Sequence, residues 1–173
     1  MSLIAAVIYG PDDDCDGLLA EVAHGWMARG HSVAGVVQIN AGASCADLDM
    51  ELEVLGSGRR ISICQDLGAG SVGACRLDPT GLAEAAAAVR EAIGRPVDAV
   101  LINKFGRMEA EGGGLVAEIG AAVAAGLPLV VGVPRRFTAA WDAFAGGMDV
   151  KLACDRAAVD GWWAQARLAA AVA

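Results

Sequence analysis

Short apolar runs that end abruptly in glycine, proline or charge constrain this chain more than any other feature. Residues 3–9 (Leu-Ile-Ala-Ala-Val-Ile-Tyr) run apolar into Gly10-Pro11, and residues 127–133 and, apart from Asp98 and the closing Asn103, residues 97–103 repeat the pattern. A strand with no polar alternation is buried on both faces. Between these runs the apolar period changes to that of a helix. Leu18, Leu19, Val22 and Trp26 form one stripe within residues 16–29, acids stand at its start and Gly30 follows its end. Residues 80–93 carry Leu82, Ala85, Ala86, Val89 and Ile93 at the same spacing, behind Asp78-Pro79-Thr80. Helices are further expected after Gly112-Gly113-Gly114 to residue 125, at residues 138–144 with Thr138 as N-cap, and at 155–171 after a last strand at 150–154. Buried strands alternating with helices predict an α/β fold: a mainly parallel sheet with helices on both faces, in three layers.

The middle of the chain departs from this pattern. Residues 32–38 read as a second buried strand. Asp49, Glu51 and Glu53 then alternate with Met50, Leu52 and Val54, and Gly56-Ser57-Gly58 separates them from residues 59–65, where Ile61 and Ile63 alternate. That predicts an antiparallel hairpin with one wet face, its acids opposite its arginines. With 173 residues, no linker and no repeat, one domain over residues 1–173 is expected.

Composition removes several function classes. Hydrophobic residues make up 55% of the chain, but no apolar run approaches the ~18 residues of a membrane span. The N-terminus lacks a basic start and reaches Gly-Pro-Asp too soon for a signal peptide. Five scattered cysteines without a C-x-x-C pair fit a reducing cytoplasm rather than a disulfide framework or a zinc site. His24 and His31 have no ligand-like spacing and read as surface residues. A net charge of −8 argues against general nucleic-acid binding.

In a parallel α/β sheet the ligand sits outside the carboxyl ends of the strands, which directs attention to the loops at 10–16, 39–46, 103–114 and 134–138. The first turn, Gly10-Pro11-Asp12-Asp13-Asp14-Cys15-Asp16-Gly17, stands where a phosphate loop would. It lacks the lysine and the hydroxyl of G-x-x-x-x-G-K-[ST] and carries four aspartates instead. Asp12, Asp14 and Asp16 have the spacing that opens a calcium loop and are the candidate metal ligands, but the twelfth position is Ala23 rather than glutamate. Gly68, Gly70 and Gly73 have dinucleotide-fingerprint spacing in the wrong context, after a hairpin strand. The stretch from Asn103 to Gly114 puts Lys104 and Arg107 beside Glu109, Glu111 and three glycines, so Lys104, Arg107 and the amides of Gly112, Gly113 and Gly114 form a candidate anion cradle. Arg135 and Arg136 repeat the theme at the next strand end. Trp141, Phe144, Trp162 and Trp163 suit a core or a subunit contact.

Taken in order, the first strand with its Gly10 turn, Val33-Ala34-Gly35-Val36-Val37, Arg59-Arg60-Ile61-Ser62-Ile63 and Asn103-Lys104-Phe105-Gly106-Arg107-Met108-Glu109 resemble the small P-loop nucleoside-triphosphatases first described from thermophiles. More closely, they resemble an uncharacterised bacterial domain-of-unknown-function family of degenerate relatives, over about residues 3–135. In the active enzymes the last motif resembles Asp-Glu-Ile-Gly-x-Met-Glu, with acids that hold magnesium and polarise water. Asn103 and Lys104 occupy those two acid positions, while Gly106, Met108 and Glu109 match. The resemblance implies a P-loop-like sandwich without the lysine and acids of catalysis. It also implies a link to molybdate uptake, whose genes often neighbour such proteins.

The resulting expectation is a non-hydrolytic binding protein for a small oxyanion or nucleotide, with no cofactor required. Its site would draw on Asn103, Lys104, Arg107, Glu109, Gly112–Gly114, Arg135 and Arg136. The alternatives are a divergent triphosphatase using magnesium on the Asp12–Asp16 acids, and an interaction module or homodimer built on the Trp162-Trp163 pair.

Overall fold

The computed structural model describes residues 2–41, 49–64 and 77–170. Seven strands form one sheet in the order β4-β3-β2-β5-β6-β1-β7. They are β1 (Ile4–Tyr9), β2 (Val33–Ala41), β3 (Asp49–Val54), β4 (Arg59–Ser62), β5 (Ala99–Asn103), β6 (Leu129–Pro134) and β7 (Asp149–Ala153). The pairs β1–β6, β1–β7, β2–β5 and β5–β6 are parallel, and β3 runs antiparallel to both β2 and β4. The α/β sandwich with an appended hairpin is therefore the architecture observed, and it is consistent with a P-loop-like fold. Glu53 lies opposite Arg60 in the hairpin register, and Arg60 also reaches Glu51 at 3.5 Å.

Alternate strand residues feed two cores, as the pleat requires. Ile4, Ala6, Val100 and Ile102 face helices α2 (Pro79–Ile93), α4 (Val116–Ala124) and α5 (Thr138–Ala145). Ala5, Val7, Ala99 and Leu101 face α1 (Cys15–Ala28) and α6 (Arg156–Ala170). Trp26 of α1 stacks on Trp163 of α6 with ring centroids 4.4 Å apart, and its indole N–H donates to Asp160 at 2.8 Å. Trp162 donates to the backbone oxygen of Ser2. With Trp162 at 6% and Trp163 at 4% exposure, the tryptophan pair is core and offers no surface for a partner. His24 bonds Glu53 at 2.7 Å, and His31 lies edge-on to Trp163.

Two local expectations are corrected. Residues 103–114 are not simply a loop before a helix, because a single helical turn, α3 (Arg107–Ala110), interrupts them. Thr138 is not an N-cap: it is the first residue of α5, behind a 3-10 turn at Arg135–Phe137, and its hydroxyl donates to the Arg135 carbonyl at 2.9 Å. The Gly68–Gly73 spacing, Cys45 and Cys75 lie outside the described residues.

Candidate functional site

A cleft of about 620 Å³ opens at the carboxyl ends of β2 and β5. The hairpin and the start of α2 supply an apolar wall of Met50, Leu52, Ile63, Leu77, Pro79 and Leu82. The segment after β5 and the start of the 3-10 turn supply Asn103, Lys104, Arg107 and Arg136. No residue of the Gly10–Gly17 turn lines it. Among the described residues, no ion pair uses Lys104, Arg107 or Arg136. Arg136 lies over the Phe137 ring at 5.0 Å, where the attraction is to a ring face rather than to a carboxylate. Three cations that form no ion pair among the described residues thus line one cleft of an acidic protein, with Glu109 the one carboxylate among its lining residues.

The segment carrying Lys104 and Arg107 is rigidly held. Phe105 is 1% exposed, lies edge-on to Trp141 at 5.2 Å, and donates its amide to the Gly132 carbonyl at 2.9 Å. Glu109 is buried, and its carboxylate accepts from the amides of Gly106 at 2.9 Å and Leu115 at 3.1 Å. Glu109 thus closes residues 106–115 on themselves, as an acid at the third helical position commonly does at a helix start.

The glycines expected to cradle an anion serve this closure. The Gly113 amide donates to the Met108 carbonyl at 2.8 Å and the Gly112 amide to the Glu109 carbonyl at 3.0 Å, which ends α3. Gly114 has φ +57°, and a Cβ there would stand 2.0 Å from a Glu109 carboxylate oxygen. None of the three glycines lines the cleft. Arg135 is also placed elsewhere, beside Asp13, Lys151 and Cys154 in a second, more open cavity of about 480 Å³ along β1 and β7. Of the residues expected at the site, the cleft gathers Asn103, Lys104, Arg107, Glu109 and Arg136. Sequence reasoning missed its apolar wall, because those residues are distant along the chain.

The first turn uses its acids on itself. Asp13 accepts from the Gly10 amide at 2.7 Å, and Asp14 caps α1 by accepting from the Gly17 amide at 2.9 Å. A Cβ on Gly17 would lie 2.3 Å from that Asp14 carboxylate, so a larger residue there would displace the cap. Asp16 accepts from the Asn103 amide nitrogen at 2.7 Å, which fixes the orientation of the Asn103 side chain. The Asn103 side-chain oxygen is buried against Gly132 and has no hydrogen-bond partner among the described residues. Among the described residues, no group of three metal-ligating side chains could hold an ion.

Beneath the turn, protons are held firmly. Burial, then the neighbouring Asp16 and Cys15, push the Tyr9 phenol above its ordinary range. Burial and contact with Cys154 do the same to the Cys15 thiol. Both groups stay protonated at neutral pH, and neither is an activated nucleophile.

This geometry coincides with a family assignment. The model of the family described as "Protein of unknown function (DUF2478)" matches residues 4–162, and the chain belongs to that family. It is also similar to a protein of Bradyrhizobium diazoefficiens named "Molybdenum import ATP-binding protein ModC 2", with 44% identity over 162 residues. That match covers 92% of this chain but 18% of the relative, so the chain spans under a fifth of the relative's length. No solved structure matches the chain. Among the described residues, no helix is long and apolar enough to cross a membrane.

Proposed function

We propose that this DUF2478 member is a single P-loop-like domain that binds a small oxyanion or nucleotide without hydrolysing it, in the cleft at the ends of β2 and β5. The observation that carries this reading is the convergence of Lys104, Arg107 and Arg136, none of them ion-paired among the described residues, in a chain of net charge −8. Unpaired cations in a cleft supply the charge-assisted hydrogen bonds an anion needs, each about 1.5–3 kcal/mol. Asn103 and Lys104 at the end of β5 replace the magnesium-holding acids of the triphosphatases that the chain resembles, so the anion is met directly by positive charge. The name of the Bradyrhizobium relative supports both an ATP-like ligand and a molybdate link.

Calorimetric titration with molybdate, tungstate, phosphate, ADP and ATP tests the reading. At least one of them is expected to bind, with loss of ~10-fold or more in affinity in Lys104→Ala. Absence of binding by all five, or binding indifferent to Lys104→Ala, overturns it. Phosphate release from ATP with Mg²⁺ or Mn²⁺ would overturn the non-hydrolytic part alone.

A further inference from the structure

We propose that the cleft takes a phosphate ester with an apolar or heteroaromatic body, not a bare oxyanion. This rests on the reading above and chooses within it. A bare tetrahedral oxyanion fills on the order of 100 Å³, a few times one water's share of about 30 Å³. The cleft is about 620 Å³, inside the range of pockets that enclose organic ligands.

Its two walls differ in chemistry. Lys104, Arg107 and Arg136 stand on one side, and Met50, Leu52, Ile63, Leu77 and Leu82 on the other. Only an amphipathic anion satisfies both, because an inorganic ion would leave the apolar wall wet.

The backbone agrees. Tight capture of a bare oxyanion relies on convergent free amides. Here the amides of Phe105, Gly106, Gly112, Gly113 and Leu115 all donate inside the protein. None of these five amides is left for an anion, and the positive charge at the cleft comes from the side-chain cations Lys104, Arg107 and Arg136. These suit one terminal phosphate whose position is fixed by the body packed against the apolar wall. Met50 and Met108, both partly buried at the cleft, supply the adaptable, polarisable contacts that flat rings favour.

The test is calorimetry with AMP, phenyl phosphate, ribose 5-phosphate, inorganic phosphate and molybdate on the intact chain. AMP or phenyl phosphate is expected to bind at least ~10-fold more tightly than the other three, as burial of a ring requires. Preference for AMP alone would identify a nucleotide body, and equal preference for phenyl phosphate a general aromatic one. Leu77 is 41% exposed, so a neutral polar replacement there is expected to leave the fold intact. Leu77→Asn should weaken AMP or phenyl phosphate ~10-fold, and Met108→Leu, which keeps the bulk and removes the sulfur, should weaken them in the same direction. Neither variant changes the charge of the cleft, so the affinity for inorganic phosphate should move far less than that for the aromatic esters. If molybdate or phosphate binds as tightly as the aromatic esters, or if Leu77→Asn and Met108→Leu change nothing, the ligand class is wrong while the cleft stands. If nothing binds, both readings fall.

Discussion

The turn at Gly10–Gly17 and the segment at 103–115 follow the carboxyl ends of β1 and β5, two strands separated by β6, and solve the same backbone problem. In each, a carboxylate folds back onto amides of its own segment, and a glycine leaves room for it. Asp14 serves the Gly17 amide, and Glu109 serves those of Gly106 and Leu115. They differ in where the charge goes. In the first turn Asp13 and Asp14 bond its own backbone, Asp16 bonds Asn103, and none of its acids lines the cleft. The second buries Glu109, leaves Glu111 in solvent, and has Lys104 and Arg107 at the cleft. Under the proposed function, the attraction for an anion lies across the sheet from the first turn, at the segment that follows β5.

The comparison is broken most forcefully at Glu109. Removing a buried carboxylate that satisfies two amides should cost about 3 kcal/mol, so Glu109→Ala should lower the urea midpoint sharply. Glu109→Gln keeps one acceptor oxygen and should recover part of that loss. Gly114→Ala pushes a methyl into the same carboxylate at a positive φ and should cost about 2 kcal/mol in the same assay. Asp14→Ala removes only an exposed cap, and about 1 kcal/mol is expected. If Asp14→Ala proved as damaging as Glu109→Ala, the contrast between a buried closure and an exposed cap would fail. Smallest in stability is Lys104→Ala with Arg107→Ala, expected within ~0.5 kcal/mol of the parent because neither cation is ion-paired among the described residues. The same pair should lose anion binding.

Much of the scaffold was legible because its signals are local. The apolar run before Gly10, the stripe from Leu19 to Trp26 and the alternation around Met50 and Leu52 each state their own geometry. Residues 107–110 escaped because four residues are too few to show a helical period. Glu109, three residues beyond Gly106, was the available signal. The glycines at 112–114 suggested an anion cradle, but a helix end and a nest of free amides have the same composition. Only the hydrogen-bond partners distinguish them. The Trp162-Trp163 pair stayed open between core and subunit contact for a different reason. Adjacent helical residues diverge by about 100°, which suggests that one must face outward, yet α6 packs so that Trp163 meets Trp26 and Trp162 reaches Ser2. The apolar wall of the cleft, from Met50 to Leu82, is assembled by topology and has no signature along the chain.

Amide chemical-shift mapping during titration with AMP and with inorganic phosphate tests the position of this attraction most directly. The account predicts shifts concentrated at residues 104–109 and 136–137 and at Met50 and Leu77, with residues 10–17 nearly unmoved. Shifts centred on Gly10–Gly17 would contradict it, placing the anion on the first turn despite its aspartates.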